Sequence, residues 1–68
     1  MIVIVQRIVP AGTVEWIANT DYFIHGYKVT IGGKLSCLIK MEDCDNIELS
    51  EESFDKFIAA VRKSALLP

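Results

Sequence analysis

Leu49–Leu66, LSEESFDKFIAAVRKSAL, is the stretch whose reading decides the fold. Phe54, Phe57, Ile58, Val61 and Ala65 recur at i, i+3, i+4, i+7 and i+11, the spacing of one buried helical stripe. Ser50 is a good N-cap, because its hydroxyl can accept from an unpaired N–H of the first turn. Leu49 then falls at N′ and Phe54 at N4, the positions of a hydrophobic staple. Glu51 and Glu52 sit at the positive end of the helix dipole, and Arg62 and Lys63 near its negative end. Glu52 and Lys56 form a favourable i,i+4 pair, whereas Glu51 and Asp55 repel. Pro68 cannot continue a helix interior.

The chain before this helix reads as strands that need cover. Residues 2–9, IVIVQRIV, are apolar on both alternating sets, as in a strand with two covered faces. Val9-Pro10-Ala11-Gly12 suits a type I turn, with Pro at i+1 and Gly at i+3. Residues 13–19 favour a second strand, with Val14, Trp16 and Ala18 on one face. A helix over Val14–Tyr22 is the alternative, since Val14, Ile17, Ala18 and Asp21 also fit a helical spacing. Asn19, Thr20 and Asp21 supply turn chemistry. Residues 22–31 read as a third strand, with Gly26 marking a bulge or close backbone approach, and residues 35–41 as a fourth.

Between the last two strands, a three-residue loop Gly32-Gly33-Lys34 pairs Ile31 with Leu35, Val29 with Cys37 and Tyr27 with Ile39. That register puts the paired apolar residues Tyr27, Val29, Ile31, Leu35, Cys37 and Ile39 on one face, and glycine fills the left-handed position such loops use. A two-residue Gly32-Gly33 loop splits the apolar sets, so the longer loop is predicted. Residues 42–48, EDCDNIE, read as a polar connection in which Ile47 adds a short strand with Leu49.

The expected architecture is α+β: a four-stranded antiparallel sheet with one C-terminal helix on one face, ββββα, as a single domain over residues 1–68. Fully burying Phe54, Phe57, Ile58 and Val61 contributes about 1.5–3 kcal/mol each before entropy is subtracted. Ile17, Ile24, Leu38 and one set from the first strand remain on the far face.

With 68 residues and 51% hydrophobic composition, the chain has more apolar material than one small core hides. A homodimer is therefore expected. No apolar run approaches the roughly 20 residues of a membrane span. MIVIVQRIV lacks the basic start of a signal peptide, so a cytoplasmic location with reduced Cys37 and Cys44 is the expectation.

Charge is unevenly placed. Residues 1–41 hold four basic and two acidic side chains, whereas residues 42–55 hold seven acids and no base. Those acids, Glu42, Asp43, Asp45, Glu48, Glu51, Glu52 and Asp55, are the candidate partner-binding set, facing a protein with a basic surface. They do not spell an EF-hand: the sixth position from Asp43 is Glu48 rather than Gly, and the twelfth is Phe54 rather than Glu. Neither a metal nor a cofactor is expected.

Catalytic readings are thin. His25 is the lone histidine, placed near the end of the inner face, where a structural role is expected. Carboxylates on both sides of Cys44 disfavour its thiolate, and Cys37 reads as a small buried hydrophobe. A non-enzymatic protein–protein interaction module is the leading expectation. By size and charge the chain is similar to phage-encoded inhibitors, such as anti-CRISPR or anti-restriction proteins that occupy a nucleic-acid enzyme's basic groove.

The ββββα order, with Ile47-Glu48-Leu49-Ser50 running into a helix, resembles the single-stranded-DNA-binding transcriptional-coactivator family, whose members are dimers with curved sheets. The resemblance covers the last third of the chain. It implies a nucleic-acid-binding sheet face made of Arg7, Trp16, Tyr22, Lys28, Lys34 and Lys40. A sequence pI near 5.2 weighs against it.

Overall fold

Ile47 and Leu49 lie in the middle strand of the sheet. The computed structural model describes residues 1–66, apart from the side chains of Asp45 and Leu66. Pro68, the expected helix stop, lies outside the described residues. Five strands and one helix follow in order: β1 Ile2–Val9, β2 Gly12–Asn19, β3 Phe23–Ile31, β4 Lys34–Met41, β5 Cys44–Leu49 and α1 Glu51–Leu66. A single 3-10 turn, Thr20–Tyr22, joins β2 to β3. The class is α+β as expected, but the sheet has five antiparallel strands in the order β2-β1-β5-β4-β3. The alternative helix over 14–22 does not form.

The short strand expected at Ile47 and Leu49 is present but reaches back to Cys44, so the polar connection shrinks to Glu42-Asp43 and the strand count rises from four to five. Sequence CDNIEL has only two strong apolar residues, but Ile47 and Leu49 alternate, and both are fully buried. Two inward apolar residues suffice for a central strand whose outward positions stay polar.

The hairpin register is also corrected. Only Gly32 and Gly33 form the turn, pairing Ile31 with Lys34, Val29 with Ser36 and Lys28 with Cys37. Both glycines have positive φ, 58° and 81°, the type I′ geometry whose twist matches the flanking strands. Tyr27, Val29 and Ile31 thereby leave the inner face. The inner positions of β3 go instead to Gly26 and Lys28, because α1 crosses there. A Cβ on Gly26 would meet Ile39 Cγ2 at 3.0 Å, and Leu38 O and Phe54 Cε2 at 3.3 Å. The close approach expected at this glycine is therefore present, and the bulge falls nearby, between Phe23 and His25.

The sheet cannot be flat. Every neighbouring pair is antiparallel, so β2 and β3 would run the same way at opposite edges. Edge strands of a flat five-stranded sheet lie about 19 Å apart. From Asn19 to Phe23 the chain spans at most about 14 Å. The β1–β2 ribbon must therefore swing across the core. Its junction with β5 is accordingly brief, Arg7↔Leu49 and Ile8↔Glu48 only. Backbone bonds pin the 3-10 turn to both parts: Thr20 N donates to Met1 O at 2.9 Å, and Glu42 N to Tyr22 O at 2.7 Å.

Inside the coil lies the core of Val5, Ala18, Cys37, Ile39, Met41, Ile47, Leu49, Phe54 and Phe57. The helix starts as expected: Ser53 N donates to Ser50 Oγ at 3.3 Å. Phe57 is fully buried, stacked on Trp16 with ring centroids 6.1 Å apart and tilted against Phe23 at 5.6 Å. Ile58 and Val61 are half-buried. Ala65, expected to extend the stripe, is exposed.

Candidate protein interface

Residues directly opposite across a ladder share a face, so the register assigns the paired side chains to the inner or outer side. On the β1–β2 ribbon, Ile2, Ile4, Gln6 and Ile8 point outward, with Ile17 opposite Ile4 and Glu15 opposite Gln6. On the β3–β4 hairpin, Tyr27, Val29 and Ile31 point outward beside Leu38, Ser36 and Lys34. A row Tyr27–Leu38–Glu48–Ile8 joins the two across β5.

This outer side is apolar at both ends. Ile17 is 63% exposed, Ile31 66% and Ile4 46%. Ile2 and Tyr27 are exposed beside them. Ile17 and Ile24 are thus found on the open side as the sequence suggests, with Leu38 half-buried. The β1 set left outside is Ile2 and Ile4, while Val3 and Val5 pack on the core. The I′ register adds Tyr27, Val29 and Ile31, which the longer loop would have hidden.

The acidic set does not gather at one place. Glu42 and Asp43 occupy the β4–β5 turn, and Glu48 faces outward between Ile8 and Leu38. Glu51, Glu52 and Asp55 stand on the first turns of α1. Six residues of β5 put about 20 Å between the turn and the helix start. The side chain of Asp45 lies outside the described residues.

Two of the helix acids are engaged. Lys28 Nζ stands 3.2 Å from Glu51 Oε2 and 2.9 Å from Asp55 Oδ1, and 5.6 Å from the centre of the Phe54 ring. The repulsion expected between Glu51 and Asp55 is thus relieved by a residue from β3. Hydrogen bonds to Asp55 and then Glu51 hold the lysine's pKa above its ordinary value.

The basic and aromatic set divides between the two faces. Arg7, opposite Leu49 and Val14, faces inward, as do Trp16, against Phe57, and Lys28. Lys34 and Lys40 face outward on β4, and Tyr22 is exposed on the 3-10 turn. His25 corrects its expected place: it is exposed, opposite Lys40, with its ring 6.3 Å from Tyr27. Cys37 is buried as expected, and burial pushes its thiol pKa up.

A groove of about 330 Å³ runs beside β1, lined by Ile4, Val5, Gln6, Glu15, Ser50, Glu52, Ser53 and Lys56. Sequence reading missed it, because it arises where β5 stops. Among the described residues, no three His, Cys, Asp or Glu side chains cluster as a metal site, and no helix is long and apolar enough to cross a membrane. Compared with known protein families, curated proteins and solved structures, the chain matches none.

Proposed function

We propose that the chain is a non-enzymatic protein–protein interaction module that works as a homodimer through its outer sheet side. The observation that carries this reading is the pair Ile4 and Ile17, opposite each other on the ribbon and both open to solvent. Scattered exposed apolar residues are ordinary, but a contiguous group on a regular sheet marks a contact surface. Sedimentation velocity across a concentration series tests it. A species of twice 7.6 kDa, reverting to monomer in Ile17→Lys, supports the proposal; a monomer at high micromolar concentration refutes the homodimer.

Within that class, the narrower role is inhibition of a nucleic-acid enzyme by occupying its basic groove, as phage anti-CRISPR or anti-restriction proteins do. The charge excess of residues 42–55 supports it, although Glu51 and Asp55 share Lys28 and Glu42, Asp43, Glu48 and Glu52 are dispersed. Reversing Glu42, Asp43, Asp45 and Glu48 should abolish capture of a basic partner while the fold persists; unchanged capture removes this role. A dimeric single-stranded nucleic-acid binder has less behind it, since Trp16 is engaged with Phe57 and Lys28 with two carboxylates. Fluorescence anisotropy with an oligonucleotide at low salt separates the two.

A further inference from the structure

The ladder between β1 and β5 ends early, and what it leaves behind is a vacant strand position. Arg7 pairs with Leu49 and Ile8 with Glu48. Continued in that register, Ser50 would face Gln6 and Glu52 would face Ile4. The chain instead turns into α1 at Glu51. Ser53 Oγ takes the N–H of Gln6 at 2.9 Å, showing that this amide points away from β2. Backbone direction alternates along a strand, so the N–H and C=O of Ile2 and Ile4 point the same way, into the space β5 gave up. Among the described residues, no strand pairs with them there. The groove lies along the Ile4–Gln6 part of this edge, and its walls carry two carboxylates, Glu15 and Glu52, against one ammonium, Lys56.

We infer that the β1 edge over Ile2–Gln6 receives an extended polypeptide segment bearing a lysine or arginine. The segment adds as a strand, exchanging main-chain hydrogen bonds with Ile2 and Ile4. Its basic side chain sits between Glu15 and Glu52, whose net negative balance selects the sign. Unpaired strand edges are templates for such pairing. The five residues Ile2–Gln6 offer about 16 Å of edge. This goes beyond the homodimer reading, since it uses the main chain of the β1 edge rather than the outward side chains of Ile4 and Ile17.

The test titrates a fluorescein-labelled peptide, Thr-Val-Lys-Val-Lys-Val-Thr, into the full chain by anisotropy, with sedimentation of the same samples. Two control peptides replace both lysines by glutamate, or N-methylate alternate backbone amides. The inference expects binding of the basic peptide, none of the methylated one, and about fivefold weaker binding for each of Glu15→Lys and Glu52→Lys, the upper range for one exposed ion pair. Amide exchange at Ile4 should slow when peptide is added. Equal binding of the basic and acidic peptides overturns the charge assignment, and unaffected binding after N-methylation overturns strand addition. An Ile4 amide whose exchange still slows with protein concentration in Ile17→Lys, where the outer-face dimer is broken, assigns the edge to a second copy and overturns the peptide. A monomer that still binds the basic peptide sinks the homodimer and leaves this inference standing.

Discussion

Lys28 on β3 stands 2.9 Å from Asp55 on α1, Nζ to Oδ1, and this pair fastens an edge strand to the start of the helix. Glu51 shares the same ammonium. Removing the charge in Lys28→Met leaves two carboxylates facing each other one helical turn apart. The variant should melt at a lower temperature than the parent, and the gap should shrink in high salt. A lysine whose pKa rises on folding stabilises the fold fully below its ordinary 10.5 and loses that benefit as pH climbs through the higher folded value. The gap in midpoint should therefore hold from neutral pH to about 10 and close above it.

Gly26→Ala should cost about 1–3 kcal/mol, the usual range for overpacking. Its new methyl would press on the Leu38 carbonyl, which is backbone, as well as on Ile39 and Phe54. Urea denaturation reads the loss as a lower midpoint at unchanged slope.

Phe57→Ala should cost about 3–5 kcal/mol, most of what holds a domain this small. The ring is fully buried and touches Trp16 and Phe23. Phe57→Leu keeps most of the volume and should fold with a weakened midpoint. Trp16 is the only tryptophan, so its fluorescence reports both variants directly.

Ser53→Ala should cost about 1–3 kcal/mol, because it strands the Gln6 N–H at a partly buried site. The same hydroxyl is buried beside the groove. Hydrogen exchange should quicken at Gln6 while Val5, whose backbone faces β2, keeps its protection.

The helix, β1 and the glycine turn were legible because each rests on a local pattern: a 3.6-residue stripe, a β-branched run, two adjacent glycines. β5 was legible only as a short strand at Ile47 and Leu49; its extension to Cys44 and its central place were not, because those two residues are its only strong signals and acids flank them. The hairpin register failed for an instructive reason. Gathering all apolar residues on one face assumes that inner positions want apolar side chains. Here α1 lies against inner β3, so Gly26 makes room for Phe54 and Lys28 answers Glu51 and Asp55. Those demands come from an element more than twenty residues away. The dispersal of the acidic block has the same origin, since proximity in sequence across a strand becomes separation in space.

The account stands on the outer sheet side being covered in solution. Methyl NMR with a soluble paramagnetic agent measures this most directly, at a protein concentration where the dimer should prevail. The account predicts that the methyl groups of Ile17 and Ile31, 63% and 66% exposed in the single chain, broaden far less than that of the exposed Ala65 on the helix. Broadening of Ile17 and Ile31 equal to that of Ala65 would contradict it.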